Sequence, residues 1–298
     1  MKKLTVFTPT FNRAYCLHQV YESLCRQKNH GFLWLIIDDG STDGTKNLAE
    51  KWQNENKIEI KYIYQQNGGM HSTYNTAYKN CETELIVCID SDDYMSEDAV
   101  NKIILFWEKN GSEEYSGLVG LDADFKNRVI GKRFPENLKS STLEDLYQKY
   151  KIPGDKKLVY RTEILKKYPK YPSFDGENFV PHGILFLQID KDFELLLLNE
   201  ILVNVEYQMD GSTLNIFKQY IRYPKGFRYS RLIEMKFSSY VKVRFKAAIH
   251  YISSSIHLGE YNFFKNNPFY ILTFFAIPFG VLLNFYIKYR NKTTIRIK

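Results

Sequence analysis

A chain of 298 residues, 44% of them apolar, can bury a sizeable core as one large α/β domain or as one domain with an appendage. The net charge of +7 has no nucleic-acid motif behind it, and Lys288, Arg290, Lys292, Arg296 and Lys298 crowd the carboxyl end behind an apolar run, a pattern that favours an anionic bilayer. Cys16, Cys25, Cys81 and Cys88 lack C-x-x-C spacing and paired histidines, as reduced cytosolic thiols do, and Pro9 and Asn12 interrupt the apolar stretch behind Lys2 and Lys3, which argues against a secretory signal.

Leu4 to Phe7 reads as a first buried strand, ended by the turn-like Thr8-Pro9-Thr10. Asn12 is expected to cap a helix running to about Gln27, with apolar positions at Leu17, Val20, Tyr21 and Leu24. Leu33 to Ile37 is a second strand that runs into Asp38, Asp39 and Gly40; Ser41-Thr42-Asp43 then start a helix to about Asn54. Ile58 to Tyr64 alternates as a third strand, Asn67-Gly68-Gly69 is a turn, and His71 to Asn80 is helical. Glu84 to Ile89 is a fourth strand, apolar on both faces, and it empties into Asp90, Ser91, Asp92 and Asp93. Alternating strands and helices imply a parallel sheet with helices on both faces. Thr8 to Arg13, Asp38 to Asp43 and Asp90 to Asp93 then converge on one carboxyl edge, where such sheets bind ligands. Carboxylates gathered there repel one another unless a cation intervenes. An Asp-x-Asp pair suits a hard divalent ion that also takes phosphate oxygens, the alternative being a plain surface turn.

Farther on, Tyr115 to Ile130 reads as strand, turn at Lys126-Asn127, and strand. Thr142 to Tyr150 is a short helix, Leu158 to Arg161 a short strand, and a loop from Tyr171 leads into an apolar helix. Ile201 to Tyr207 is a strand and Lys236 to Leu258 a helix. Asn266 to Ile287 is uncharged and near the length of a bilayer core, but Pro268, Pro278, Gly280 and Asn284 interrupt it. A segment that dips into or lies on the membrane, followed by a basic anchor, is the preferred reading over a buried helix pair or a full span.

Four stretches, VFTPTFNR, LIIDDGSTDGT, NGGMHSTYN and CIDSDDY, in this order and spacing, resemble family 2 glycosyltransferases of the GT-A fold. Two more, FDGENFVPHGILFLQI and ILVNVEYQMDGST, resemble the acceptor-side half of bacterial members that build surface polysaccharides. The resemblance implies an α/β, Rossmann-like, mostly parallel sheet over 1–235, divided into a nucleotide-sugar half (1–110) and an acceptor half (111–235). A helical, membrane-associating extension would occupy 236–298. It further implies a nucleotide-sugar donor, usually a UDP-sugar, held with Mg²⁺ or Mn²⁺. Position by position, Pro9, Thr10 and Arg13 would line the nucleotide pocket, and Asp39 would hydrogen-bond the base. His71 and Asn75 would lie near the ribose or diphosphate, Asp90 and Ser91 on the ribose side, and Asp92, with Asp90, on the metal.

Family 2 members invert the anomeric centre, which requires one general base and no covalent nucleophile. Glu177, Asp175 and His182 are the candidates for that base. Many relatives carry a Glu-Asp pair where this chain has Glu177-Asn178, and a glutamate where it has His182. Asp43 and Asp93 read instead as helix-start or turn residues. The implied acceptor is a polyprenyl-linked glycan at the cytoplasmic face of the cell membrane, for a capsule, exopolysaccharide or O-antigen. The alternatives are an inactive nucleotide-sugar-binding scaffold and a sugar nucleotidyltransferase; TPTFNR lacks the Gly-rich, basic triphosphate loop of the latter.

Overall fold

The computed structural model describes residues 2–206 and 216–296. Tyr207 to Thr213 of the second resembling block, and the side chains of Lys292, Arg296 and Lys298, lie outside the described residues. The chain forms two compact units, Met1–Lys170 with Asp192–Gln208, and Tyr171–Lys191 with Met209–Lys298. Position 235, expected to close the first domain, falls inside a helix of the second unit.

The first unit is built on a mixed sheet flanked by helices. Its strands are β1 (Leu4–Thr10), β2 (Phe32–Asp38), β3 (Ile60–Tyr64), β4 (Leu85–Cys88), β5 (Tyr94–Met95), β6 (Tyr115–Ala123), β7 (Ser140–Ser141), β8 (Lys156–Arg161) and β9 (Glu194–Asn204). Their order is β3-β2-β1-β4-β8-β6-β9-β5, with β7 paired to β9. β1 to β4 run parallel. β8 is antiparallel to both β4 and β6, so β4 and β6 point the same way. The carboxyl ends of β1, β2, β3, β4 and β6 and the amino end of β8 therefore share one edge.

Burial on both faces follows from the period of two along each strand. Leu4, Val6, Trp34, Ile36, Leu85 and Val87 face one side, against Val20, Tyr21 and Leu24 of α1 (His18–Cys25), Trp52 of α2 (Thr45–Glu55) and Ile103 and Trp107 of α4 (Ala99–Asn110). Tyr21 stacks on Trp52 with ring centroids 4.6 Å apart. On the other side Phe7 meets Tyr74 of α3 (Met70–Asn80) edge to face at 5.0 Å.

Several elements differ from the sequence reading. α1 starts at His18, because Asn12 takes a left-handed φ of 53° and does not cap it. Its side chain instead accepts the Thr42 N–H at 2.8 Å, tying the loop after β1 to the loop after β2. Beyond the turn at Asn127 only a single bridge, Ala123 to Val129, replaces the expected second strand. β9 begins at Glu194, earlier than expected, since the four leucines from Leu195 carry no alternation.

α5 (Leu143–Gln148) and α6 (Thr162–Lys167) complete the helices of the first unit, and the second unit is helical: α7 (Gly183–Ile189), α8 (Ile216–Arg222), α9 (Pro224–Phe237), α10 (Val241–His257) and α11 (Tyr270–Arg296). The single helix expected over Lys236–Leu258 is broken at Ser238, which is extended and whose Oγ accepts the Tyr240 N–H at 3.1 Å. Met235, Ala248, Tyr251, Ile252 and Ala276 form its core. α11 is apolar around its circumference, with a mean hydropathy of 1.8 over an 18-residue window within Tyr270–Asn291. Ala276, Gly280, Asn284 and Ile287 are buried, while Ile271, Phe274, Phe275, Phe279, Leu282, Phe285 and Tyr289 are exposed.

Candidate active site

The two aspartates that end β2 have separate tasks. Asp38 is structural: its Oδ1 accepts the Ser41 N–H at 2.7 Å and its Oδ2 the Tyr62 hydroxyl at 2.6 Å. Asp39, 4% exposed, faces the turn that precedes α3. Its Oδ1 accepts Gln65 Nε2 at 2.7 Å and the Gly68 N–H at 3.0 Å, and its Oδ2 accepts the Gly69 N–H at 2.7 Å. That turn needs glycine at 69, where φ is 84°, a left-handed value that costs a side-chain-bearing residue energy. Burial pushes the Asp39 carboxyl up; the bonds from Gly68, Gln65 and Gly69 oppose the rise, and Asp38 adds to it.

Thr10, at the end of β1, is 3% exposed, and its Oγ1 has no hydrogen-bond partner among the described residues. Its carbonyl accepts the Asp39 N–H at 2.8 Å, so Pro9 and Thr10 adjoin Asp39. Arg13 stacks on Tyr15 and donates to its hydroxyl. His71 is buried in the first turn of α3, with Asn75 one turn further along. Asp43 bonds the start of α2, accepting the Thr45 N–H at 3.0 Å, and reaches across to the Ala14 N–H at 3.0 Å.

At the end of β4, Asp90 and Asp92 are half-buried, while Ser91 and Asp93 are buried. Asp93 closes a turn through its N–H to the Asp90 carbonyl (3.1 Å), and its Oδ1 accepts the Glu206 N–H at 3.2 Å. Burial raises its carboxyl; Lys157 opposes this, and Asp90 and Asp92 add to it. Two further charged side chains at this edge escaped the sequence reading. Asp122, near the end of β6, is 3% exposed, and its Oδ2 lies 3.9 Å from the ammonium of Lys157 on β8. Burial pushes Asp122 up to about 6 despite that ammonium. Burial works to lower Lys157, yet Asp122, Asp93 and Asp90 together hold it above the ordinary lysine range. No spacing in the sequence signals this pair, because only the antiparallel insertion of β8 between β4 and β6 brings it to the edge.

The three base candidates lie in the second unit. Glu177, in the loop before α7, accepts the Lys225 N–H at 2.8 Å through Oε1 and the Gly226 N–H at 2.9 Å through Oε2. Both oxygens thus cap the amino end of α9, where orphan N–H groups and the helix dipole favour a carboxylate. Asp175 and Asn178 are exposed, and His182, half-buried, immediately precedes α7.

The family model of "Glycosyl transferase family 2" matches residues 5–168, more than half of the chain. The chain belongs to glycosyl transferase family 2. Among curated relatives, poly(ribitol-phosphate) beta-N-acetylglucosaminyltransferase TarS of Staphylococcus aureus is 27% identical over 168 residues, 56% of this chain and 29% of that protein. A GalNAc(5)-diNAcBac-PP-undecaprenol beta-1,3-glucosyltransferase of Campylobacter jejuni is 22% identical over 234 residues, 76% of this chain and 72% of its own length. The chain thus spans under a third of TarS. Among solved structures, TarS 1-349 of S. aureus in complex with UDP-GlcNAc superposes with a TM-score of 0.59 at 19% identity, over 85% of this chain and 72% of that one. A mannosyltransferase from Pyrobaculum calidifontis in complex with GDP-Man and Mn²⁺ gives 0.56 at 12% identity, over 95% and 87%. The mixed α/β sheet flanked by helices is the GT-A fold that these structures share with the chain.

Proposed function

We propose that this family 2 protein transfers a sugar from a UDP-sugar to a lipid-linked glycan at the cytoplasmic membrane surface, with inversion. The observation that carries the donor part is the hydrogen-bond state of Asp39. Three of its acceptor positions are filled by Gln65, Gly68 and Gly69, which leaves capacity on Oδ2. One remaining acceptor matches the single ring N–H of uracil, whereas guanine offers adjacent ring and amino donors that ask for two. Pro9, Thr10 and Arg13 flank the base side of that site, and His71, Asn75, Asp90 and Ser91 its ribose and diphosphate side.

The donor set at the end of β4 fits a hard divalent ion. Asp90, Asp92, Asp93 and Asp122 gather at one edge with the ammonium of Lys157, and the mutual repulsion of carboxylates is what a cation relieves. Among the described residues, no three His, Cys, Asp or Glu side chains close on one point. Asp92, with Asp90, would therefore supply one or two carboxylate ligands to Mg²⁺ or Mn²⁺, the remainder coming from the diphosphate and water. Such an ion supplies Lewis-acid neutralisation of the departing diphosphate.

The chain's own residues do the rest: Asp39 fixes the base, and a carboxylate takes the proton of the acceptor hydroxyl as it attacks. With both Glu177 oxygens committed to α9, Asp175, an exposed carboxylate in the same loop, is the better base, with His182 next. The exposed aromatic face of α11, with Lys288 and Arg290, supports a membrane-surface location, and four cysteines held as thiols fit a reducing compartment. Asn178, where the family resemblance implies an acid, favours the second reading, an inactive nucleotide-sugar-binding scaffold.

The test is UDP release from a panel of UDP-sugars, with Mn²⁺ or with EDTA, in the native protein and in Asp92→Ala. Metal-dependent turnover of one donor, lost in the variant, supports the enzyme; UDP binding without turnover, also in the presence of polyprenyl-linked acceptors, supports the scaffold. Failure to bind UDP overturns the reading of Asp39.

A further inference from the structure

Lys157 raises a question that the donor site does not answer. Its side chain is 12% exposed, its ammonium lies 3.9 Å from Asp122 on β6, and the charges of Asp93 and Asp90 at the end of β4 act on it as well. Its chain neighbour Lys156 is spent otherwise, donating to the carbonyls of Pro153 at 2.9 Å, Gly154 at 3.0 Å and Asp155 at 3.3 Å. Successive residues of a strand point to opposite faces, so Lys157 leaves the strand on the sheet face of Asp122 and Lys156 on the other. The register pairs Lys157 with Gly120, which sets Asp122 as its diagonal neighbour across the β6–β8 ladder. One oxygen of Asp122 has no hydrogen-bond partner among the described residues.

For stability alone this is a poor arrangement. A buried ion pair rarely outperforms apolar side chains of similar volume, and here one ammonium serves several carboxylates. The neighbouring interior positions of the same strands, Val119, Leu121 and Val159, are apolar and buried. Charges kept inside a sheet at this price, under the strand ends that hold the donor, point to a role in the site.

We propose that Lys157 is a positioning residue of the donor site: its ammonium is a built-in cation that clamps Asp122 to the Asp90–Asp93 turn, so that Asp90 and Asp92 are held ready for the metal-bound diphosphate. Removing it leaves the carboxylates to repel one another, and the turn loses the arrangement that the divalent ion requires. The contacts of Asp39 are to Gln65, Gly68 and Gly69, between β3 and α3, and do not involve Lys157. The inference rests on the metal-assisted UDP site proposed above.

UDP affinity is measured by calorimetry with and without Mn²⁺ in the native protein and in Lys157→Met, Lys157→Arg and Lys157→Met/Asp122→Asn. In Lys157→Met the gain in affinity that Mn²⁺ confers should fall about tenfold or more, while metal-free affinity stays within about twofold. The arginine variant should keep most of the gain. The double variant restores the native net charge and should recover to within about threefold, the sign of direct coupling. A full Mn²⁺ gain in Lys157→Met, or a double variant as impaired as the single one, overturns the proposal. If Lys157→Met does not fold, the other two variants decide; a folded double variant without the Mn²⁺ gain, or failure of all three to fold, reduces Lys157 to a structural ion pair. A native protein whose UDP affinity ignores Mn²⁺ overturns the metal-assisted site itself, whereas a native gain with unaffected variants overturns the role of Lys157 alone.

Discussion

Single carboxylates at the two loops have opposite assignments, and each is separable by experiment. Asp39→Asn swaps an acceptor for a group that presents N–H to the N–H groups of Gly68 and Gly69, and it should weaken UDP binding about tenfold or more in calorimetry. The pH dependence follows from the same carboxyl, whose pKa burial raises above 3.8. In the ligand-free protein its contribution to folding stability is fully present below the unfolded value and is lost as pH rises through the folded one. The proposed contact with UDP needs the ionised form, so binding runs the other way: the thermal stabilisation by UDP should shrink as pH falls through the raised pKa, and Asp39→Asn should lack this dependence. Glu177→Ala, by contrast, strips two N–H groups of α9 of their acceptor and should cost about 1–2 kcal/mol in denaturant unfolding. Asp175→Asn should leave unfolding unchanged and cut kcat about a hundredfold or more, the usual scale of general-base loss. An unchanged kcat there transfers the role to His182.

At the scale of elements, the close contact of α10 and α11 makes a sharp prediction. A Cβ at Gly280 would lie 2.5 Å from Ile252 Cβ and 2.9 Å from the Ile249 carbonyl oxygen. Gly280→Val should therefore force the helices apart and lower stability by about 1–3 kcal/mol, read as a drop in Tm. The sequence placed this glycine as an interruption of an apolar run, and only the packing shows it to be a contact point. Legibility divides in the same way elsewhere. β2 and β4 are readable because an apolar run ends in acid; β1 instead runs on to Thr10, through the Thr8-Pro9-Thr10 that reads as a turn, because its pairing with β2 continues there. The Asn12 link to Thr42, the break at Ser238 and the Asp122–Lys157 pair are not readable, since each depends on partners far away in the chain or on a hydrogen bond that composition does not encode. Thr10, Asp39 and Asp90 to Asp93 were legible as one edge, because parallel strands in sequence order must align their carboxyl ends. The role of Glu177 was not, because its partners are backbone N–H groups some fifty residues downstream.

For the molecule as a whole, charge and apolar surface are concentrated toward the carboxyl end, and their contributions to membrane attachment are separable. An interfacial helix binds through buried apolar area plus attraction to anionic lipid, and the second contribution is screened within about 8–10 Å at physiological salt. α11 offers both: exposed Phe274, Phe275 and Leu282 on its outer face, and Lys288 and Arg290 near its end. Sedimentation with vesicles of phosphatidylcholine and phosphatidylglycerol should retain the native protein at low salt and release part of it as salt rises, the remainder being held by the aromatic face. Phe274→Ser, Phe275→Ser and Leu282→Ser together should abolish the salt-resistant fraction, since each exposed side chain would otherwise bury about 1.5–3 kcal/mol of apolar surface. UDP affinity in solution should be unchanged in that triple variant, because the Asp39 and Asp90–Asp92 contacts belong to a different unit of the chain. Loss of UDP binding together with vesicle binding would instead mean that the outer face of α11 supports the fold, and the exposed stripe would then call for a protein partner rather than a lipid surface.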